Sequence, residues 1–422
     1  MYHFEFFHYT VAISQVLVGV ALFLATPTAI ALVDFVGVVQ MWLRPRVEIS
    51  GKPCDDFVIL VPIFNHMRYL RNAEYLAQYA GKVVLCTTAH ESGSFYRDLN
   101  DICKRYGFQQ HRSNINLQQN DKTRNPWKIF HHVLDRADYK KVVSEEGREA
   151  LLIENTVYLQ APYCIFLDGD TICNEDLRQV IGDFRAREYD VASVRIVPSH
   201  ATTPAEHMQS LEYRLSMDSR KVYPWLTSGA CMVAKTDVLE HALRNHSHFF
   251  QGGDIEIGKL SRLLGYRVGH LETEFHTDVP GTTSAWFRQR IAWSSGDFRH
   301  AVINAGAYSW RHPLFFLYFT VVVYAMLPLR LWMAVRHPII LPIVVVIYWG
   351  LLYTFRWRYR SWHLFVLPFY GLINALIVTP LGILIYFQTA WRNRNAGIIR
   401  LRNEPRRSFS TWLRYVEEWP GK

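Results

Sequence analysis

Read for the alternation of hydrophobic and polar positions, the chain falls into an apolar stretch, a mixed middle and a second apolar region. Residues 9–33 contain no charge, and about 20 apolar residues are enough to span a bilayer as a helix. In the middle, 57–62 is an apolar run of strand length ended by proline, 67–79 has helical spacing and 82–87 predicts a second strand. Helical patterns over 125–137 and 144–155 lead to another apolar run at 163–167. Then follow a helix with Asn174 as N-cap, a strand at 190–198, helices at 204–219 and 254–264, and a strand at 266–271. Strands alternating with helices predict an α/β domain with a parallel, doubly wound sheet. Beyond Trp310, residues 313–329, 338–355 and 363–388 are almost uncharged and predict three further spans. The last contains Pro368, Asn374, Pro380 and Gly382, the pattern of a broken helix packed against protein. The implied organisation is an N-terminal transmembrane helix (1–47), a cytosolic domain (48–300), C-terminal interfacial and transmembrane helices (301–390) and a basic tail (391–422).

Charge supplies the orientation. The first basic residues after the opening stretch are Arg44 and Arg46, so the positive-inside tendency puts the amino terminus outside and the middle domain in the cytoplasm, at the plasma membrane. The leader ahead of residue 9 holds Glu5 and two histidines with no Lys or Arg, unlike a cleaved signal peptide. Residues 392–407 carry six arginines against one glutamate, and here two rules collide: three spans leave that tail outside, whereas its charge argues for inside. Lys plus Arg exceed Asp plus Glu by 46 − 37 = 9, a balance suited to anionic headgroups or nucleotide phosphates. Nucleic acid is not an expected partner, because the basic residues gather at membrane edges and no RNA- or DNA-binding motif occurs. The six cysteines are dispersed with no CxxC pair and read as free thiols of a reducing compartment.

Candidate chemistry centres on Asp168-Gly169-Asp170, two carboxylates at the carboxyl end of an apolar strand. That is the rim where open α/β sheets bind ligands. Two such acids repel unless a cation joins them, and Mn²⁺ or Mg²⁺ shared with a substrate phosphate suits the pair. An Asp-Gly turn of no chemical consequence is the plainer alternative. Further on, Gly252 and Gly253 deliver Asp254 to the start of a helix, as a stabilised carboxylate or an ordinary cap. Residues 286–296 are amphipathic, basic and aromatic, the composition of an interfacial helix.

Taken together and in this order, these motifs resemble the membrane-embedded family 2 glycosyltransferases, the group of hyaluronan, chitin and cellulose synthases. The resemblance covers roughly residues 55–395. Val61-Pro62-Ile63-Phe64-Asn65 is similar to the first-strand nucleotide motif, Lys128 to a lysine ahead of the donor site, and Asp168-Gly169-Asp170 to the DxD motif that holds metal and diphosphate. Ser228-Gly229-Ala230 resembles an acceptor-side element, and Gly252-Gly253-Asp254 the Gly-Glu-Asp whose aspartate is the catalytic base. Thr277-Asp278-Val279-Pro280 and Gln289-Arg290-Ile291-Ala292-Trp293 stand where Thr-x-x-Pro and QxxRW are expected. Three departures stand out: His66 replaces an acid, 86–91 lacks the acidic pair, and Ala292 replaces the QxxRW arginine. Arg288, four residues earlier on the helical face, or Arg290 would then supply the cation.

The resemblance implies a cytosolic GT-A-like doubly wound domain inserted between transmembrane helices. Its donor, a nucleotide sugar, would be bound by Pro62, Asn65, Lys128, Asp168, Asp170 and Arg288 or Arg290. Asp170 and Asp168 would hold Mn²⁺ or Mg²⁺, Ser228, Gly229 and Trp293 would meet the acceptor, and Asp254 would be the base. The expected reaction is metal-dependent, inverting transfer of a sugar to a growing polysaccharide or glycolipid, with a non-processive monosaccharide transferase acting on a lipid as the alternative. Rival readings are a haloacid-dehalogenase-type phosphatase, whose nucleophile also lies in Asp-x-Asp, and a membrane transporter or scaffold with a regulatory domain.

Overall fold

A computed structural model describes residues 13–24, 50–88, 91–113, 161–244, 252–303, 323–355 and 362–392, and the chain divides into two compact units. One unit comprises Val47–His200, Tyr223–Val279 and Asn395–Lys422; the other comprises Met1–Arg46, Ala201–Val222 and Pro280–Arg394. The cytosolic block expected at 48–300 is thus shared between them, with 201–222 and the region from Pro280 onward grouped with the apolar helices. The expected helices at 125–137 and 144–155 lie outside the described residues.

The first unit is built on an eight-stranded sheet of order β3-β2-β1-β4-β7-β6-β8-β5. Its strands are β1 (Phe57–Pro62), β2 (Val83–Thr88), β3 (Gln109–Ser113), β4 (Tyr163–Leu167), β5 (Ile172–Cys173), β6 (Val191–Pro198), β7 (Cys231–Lys235) and β8 (Val268–Thr277). β3, β2, β1 and β4 are parallel, and the apolar runs of β1 and β4 are buried almost throughout, as strands covered on both faces require. The sheet is mixed, however, and not the parallel one expected. β7 runs antiparallel to both β4 and β6, β8 is parallel to β6, and β5 is antiparallel to β8. The chain leaves β6 at the rim where β4 also ends and returns to the sheet at that rim, so β7 has to run back. All six cysteines are free thiols buried in this unit.

Three local readings are corrected. Residues 67–79 do not form one helix: a 3₁₀ turn at Met67–Tyr69, a single α turn at Ala73–Leu76 and a 3₁₀ segment at Ala77–Lys82 replace it. The interruption falls where the Arg71 and Asn72 N–H groups are drawn to the Gly169 carbonyl, at 2.6 and 3.1 Å. The helix Leu177–Ala186 is capped by Asp176, whose Oδ1 accepts from the Arg178 N–H at 2.9 Å, while Asn174 faces the His276 ring at 3.2 Å. β3, with the polar sequence QQHRS, escaped the apolar criterion because it is an edge strand.

The second unit is helical. Ile13–Leu24, the described part of the first expected span, packs Val20 and Phe23 against Met333, Ala334, Ile340 and Val344. Leu327–Arg336 and Ile340–Thr354 meet at a 115° bend, where Pro338 bars His337 from continuing the helix. Among the described residues one helix, Trp362–Gln388, is long and apolar enough by itself to cross a membrane, and the bent pair would make a second if counted as one span. Trp362–Gln388 is not broken as expected. Pro368 stands in the first turn of Leu367–Ile373, where its missing N–H costs nothing, and a π-helical turn at Asn374–Val378 carries the chain into Thr379–Arg392 past Pro380. Large apolar side chains on it, among them Phe365, Phe369, Ile377, Leu384 and Phe387, point outward.

Candidate active site

The site of the sheet unit begins where β4 ends. Asp168 donates its N–H to the Ala230 carbonyl at 3.0 Å, and the turn closes with the Thr171 N–H on the Asp168 carbonyl at 3.0 Å. Gly169 is needed at its tip: a Cβ there would lie 2.9 Å from the Tyr69 carbonyl oxygen, and the following Arg71 and Asn72 N–H groups hold Gly169's own carbonyl. Asn72, 2% exposed, completes the clamp by donating Nδ2 to the carbonyls of Asp168 and Thr171 at 2.9 and 2.7 Å. A single buried amide therefore grips both ends of the acidic turn.

Asp254 reaches the same place from another direction. Gly252 adopts a left-handed backbone (φ 86°), open to glycine at little cost, and the helix Gly253–Leu263 starts directly after it. Asp254 sits in the first turn, two residues past the N-cap Gly252. Oδ2 accepts the Gly229 N–H at 2.8 Å, while Thr227 Oγ1 donates to the Asp254 carbonyl at 2.5 Å. These two bonds cross-link this helix to the segment entering β7. Since Ala230 holds Asp168, the structure brings Asp168, Asp170, Ser228, Gly229 and Asp254 together.

The electrostatics show what such a site lacks. Burial, reinforced by the negative charges of Asp170 and Asp254, pushes the Asp168 carboxyl up to about 8. Burial also raises Asp170, although hydrogen bonds from Thr277 (3.2 Å) and Thr171 (3.3 Å) to its Oδ1 oppose the shift, and the charge of Asp278 adds to it. Crowded carboxylates of this kind call for a hard cation. Among the described residues no three His, Cys, Asp or Glu side chains form a ready-made cage. A Mn²⁺ or Mg²⁺ ion at this turn would take one or two carboxylates as ligands and complete its shell with substrate phosphates.

The remaining expected residues divide between the units. Pro62 ends β1, and Asn65 just beyond it takes a left-handed backbone (φ 64°), a conformation asparagine tolerates. Its N–H is held by Glu91 Oε2 at 3.1 Å, so the end of β2, which shows no acidic pair in sequence, does present one carboxylate. Lys128 lies outside the described residues. Arg288, Arg290 and Trp293 belong to the helical unit, on Thr283–Ile303. Arg288 and Trp293 are exposed, but Arg290 is 4% exposed and committed to Glu212, with Nη2 to Oε2 at 2.5 Å and Nε to Oε2 at 3.1 Å. Sequence reasoning missed Arg71, Asn72, Glu91 and the hydroxyl of Thr277; only the last fell within a motif.

Residues 163–390 match the family model of Glycosyl transferase family group 2, a span running from β4 through the apolar helices, and the chain belongs to that family. It is a glycosyltransferase, which sets aside the phosphatase and transporter readings. No curated protein matches the chain in sequence. Among solved structures it shares a fold with the mannosyltransferase PcManGT from Pyrobaculum calidifontis, solved in complex with GDP-Man and Mn2+. The identity is 12%, the TM-score 0.54, and the match covers 88% of this chain and 99% of that one. The mixed sheet is accordingly that of a GT-A glycosyltransferase.

Proposed function

We propose that this chain is a membrane-bound, divalent-metal-dependent, inverting glycosyltransferase that moves a sugar from a nucleotide-sugar donor to a growing polysaccharide or glycolipid on the cytoplasmic face of the plasma membrane. The observation carrying the reading is the pairing of two separate carboxylate elements at one rim. The Asp254 carboxylate rests on the Gly229 N–H at 2.8 Å, one residue from the carbonyl that receives the Asp168 N–H at 3.0 Å. Asp168 and Asp170 would hold Mn²⁺ or Mg²⁺, which when bound neutralises charge on the departing diphosphate. Asp254 removes the proton from the acceptor hydroxyl as its oxygen attacks the anomeric carbon. The bond from that carbon to the diphosphate oxygen breaks on the opposite face, and the configuration inverts. Pro62 and Asn65 line the donor rim, Ser228 and Gly229 the acceptor side. The motif resemblance assigns Lys128 and either Arg288 or Arg290 to the diphosphate and Trp293 to the acceptor sugar. The outward apolar side chains of Trp362–Gln388 support contact with lipid.

The test is a screen of radiolabelled nucleotide sugars, beginning with the GDP-mannose of the structural neighbour, against purified protein with Mn²⁺ or Mg²⁺ and membrane lipid extract. Asp254→Asn should keep donor binding and lose about 10² to 10⁴ in turnover, the usual span for a general base. Transfer by this variant at the wild-type rate would remove Asp254 from the chemistry.

A further inference from the structure

The proposed reaction leaves one charged group at the acidic turn without a role. Arg71 follows the 3₁₀ turn Met67–Tyr69, and its backbone N–H is fixed to the Gly169 carbonyl at 2.6 Å, so the residue is anchored to the tip of Asp168-Gly169-Asp170. Its side chain is 63% exposed and reaches Asp278, with Nη1 to Oδ2 at 2.5 Å. Asp278 in turn follows Thr277, whose hydroxyl donates to Asp170 at 3.2 Å, and the Asp278 charge is felt at Asp170. The guanidinium is thus a cation placed one acid away from a carboxylate assigned to the metal.

An exposed ion pair of this kind contributes little to stability, about 0–1 kcal/mol, so packing does not explain why an arginine is tethered here. A planar guanidinium is also the side chain best matched to phosphate, because its parallel N–H groups pair with two oxygens at once. A metal on Asp168 and Asp170 offsets the acids; a diphosphate entering the same rim brings further negative charge, which a guanidinium tethered to the acidic turn itself would meet alongside the cations assigned by resemblance. We propose that Arg71 is a diphosphate-binding residue: it exchanges the Asp278 carboxylate for a phosphate of the nucleotide when the donor binds, and holds the nucleoside diphosphate as the sugar leaves. This rests on the nucleotide-sugar reading above.

The experiment is calorimetric titration of the full-length protein in detergent with GDP and UDP at saturating Mn²⁺. If wild-type protein binds neither, the donor reading falls and this proposal with it. If it binds one of them, Arg71→Ala should weaken that affinity about ten- to a hundredfold, the worth of one charge-assisted hydrogen bond or a bidentate pair. The ligand-free melting temperature should stay within about 2 °C of wild type, and Arg71→Lys should recover part of the affinity. Asp278→Asn separates a phosphate ligand from a structural brace: freed of its carboxylate partner, Arg71 should bind the nucleotide as well as wild type or better. Unchanged affinity in Arg71→Ala, or an equal loss in Asp278→Asn, would overturn the assignment while leaving the donor reading intact.

Discussion

Asn72 offers the sharpest test of how the acidic turn is held. Substitution by alanine removes both Nδ2 hydrogen bonds, at 2.9 and 2.7 Å, from a residue 2% exposed to solvent. A net hydrogen bond contributes about 1 kcal/mol, and a buried carbonyl left unsatisfied costs about 1–3 kcal/mol. The Asp168 carbonyl keeps the Thr171 N–H, so one net hydrogen bond is lost there and the Thr171 carbonyl loses its Asn72 donor; the loss comes to about 2–4 kcal/mol, at the low end if water enters the vacated space. In a unit of this size each kcal/mol lowers the melting temperature by roughly 2–4 °C, so a drop of about 4–16 °C is expected by scanning fluorimetry without ligand. Because the two carbonyls belong to Asp168 and Thr171, the turn itself should loosen, and affinity for Mn²⁺ with nucleoside diphosphate should fall at least about tenfold. Asn72→Asp has nearly the same shape but loses both donors and adds a buried negative charge near Asp168, so it should be worse than alanine on both measures. Melting within about 1 °C of wild type together with unchanged nucleotide affinity would refute the clamp. An aspartate variant milder than alanine would refute the electrostatic part of the argument.

Four other outcomes are expected. Asp170→Asn should abolish the Mn²⁺ dependence of nucleotide binding with little change in volume, and an unaltered calorimetric titration would remove Asp170 from the metal site. Arg288→Ala should lower kcat/KM by at least about tenfold with a normal melting temperature, as for a lost charge-assisted contact. By contrast, Arg290→Ala should destabilise by about 1–3 kcal/mol, since it removes the cation from Glu212, which is partly exposed and keeps the Tyr370 hydroxyl at 2.8 Å; a silent Arg290→Ala would show that this ion pair is dispensable. The thiols supply a check on the sheet core: burial pushes Cys103 up to about 11 and Cys164 and Cys173 up to about 12. Native protein should therefore react with a thiol reagent at pH 8 at well under one equivalent, and unfolded protein at all six cysteines; a lower count after unfolding would reveal a disulfide.

The parts of the fold legible in the sequence were those where one short stretch carries its own signal. The buried runs of β1 and β4, the acids after β4 and the glycines that launch the helix of Asp254 each announce themselves within a few residues. What stayed hidden depends on partners far along the chain. The apolar spacing of 67–79 suggested a helix, yet the demand of Gly169 for two N–H donors divides it, and nothing local records that demand. β7 carried no mark of its direction, which follows from where β6 ends. Arg290 and Arg288 look alike in sequence, and only the position of Glu212, 78 residues away, separates a buried brace from an exposed cation. The same holds for Asn72, an unremarkable polar residue until its two carbonyl partners, 96 and 99 residues distant, are placed.

The reversal of β7 has a thermodynamic consequence. Since β7 starts where β4 stops, the N–H of Asp168 and the carbonyl of Ala230 share one hydrogen bond, and the next residue toward the amino terminus, Gly229, steadies Asp254. A group that displaces Gly229 on binding must disturb the bond that positions Asp168, and one that tightens Asp168 must draw on Gly229. Occupancy on the two sides of this seam is then a linked equilibrium: whatever factor one ligand imposes on the affinity of the other, it receives back in full. Order of addition would therefore shape the kinetics without altering that factor, and a factor of one, with each ligand leaving the other's affinity unchanged, would mean that the two substrates do not communicate through the backbone seam between β4 and β7.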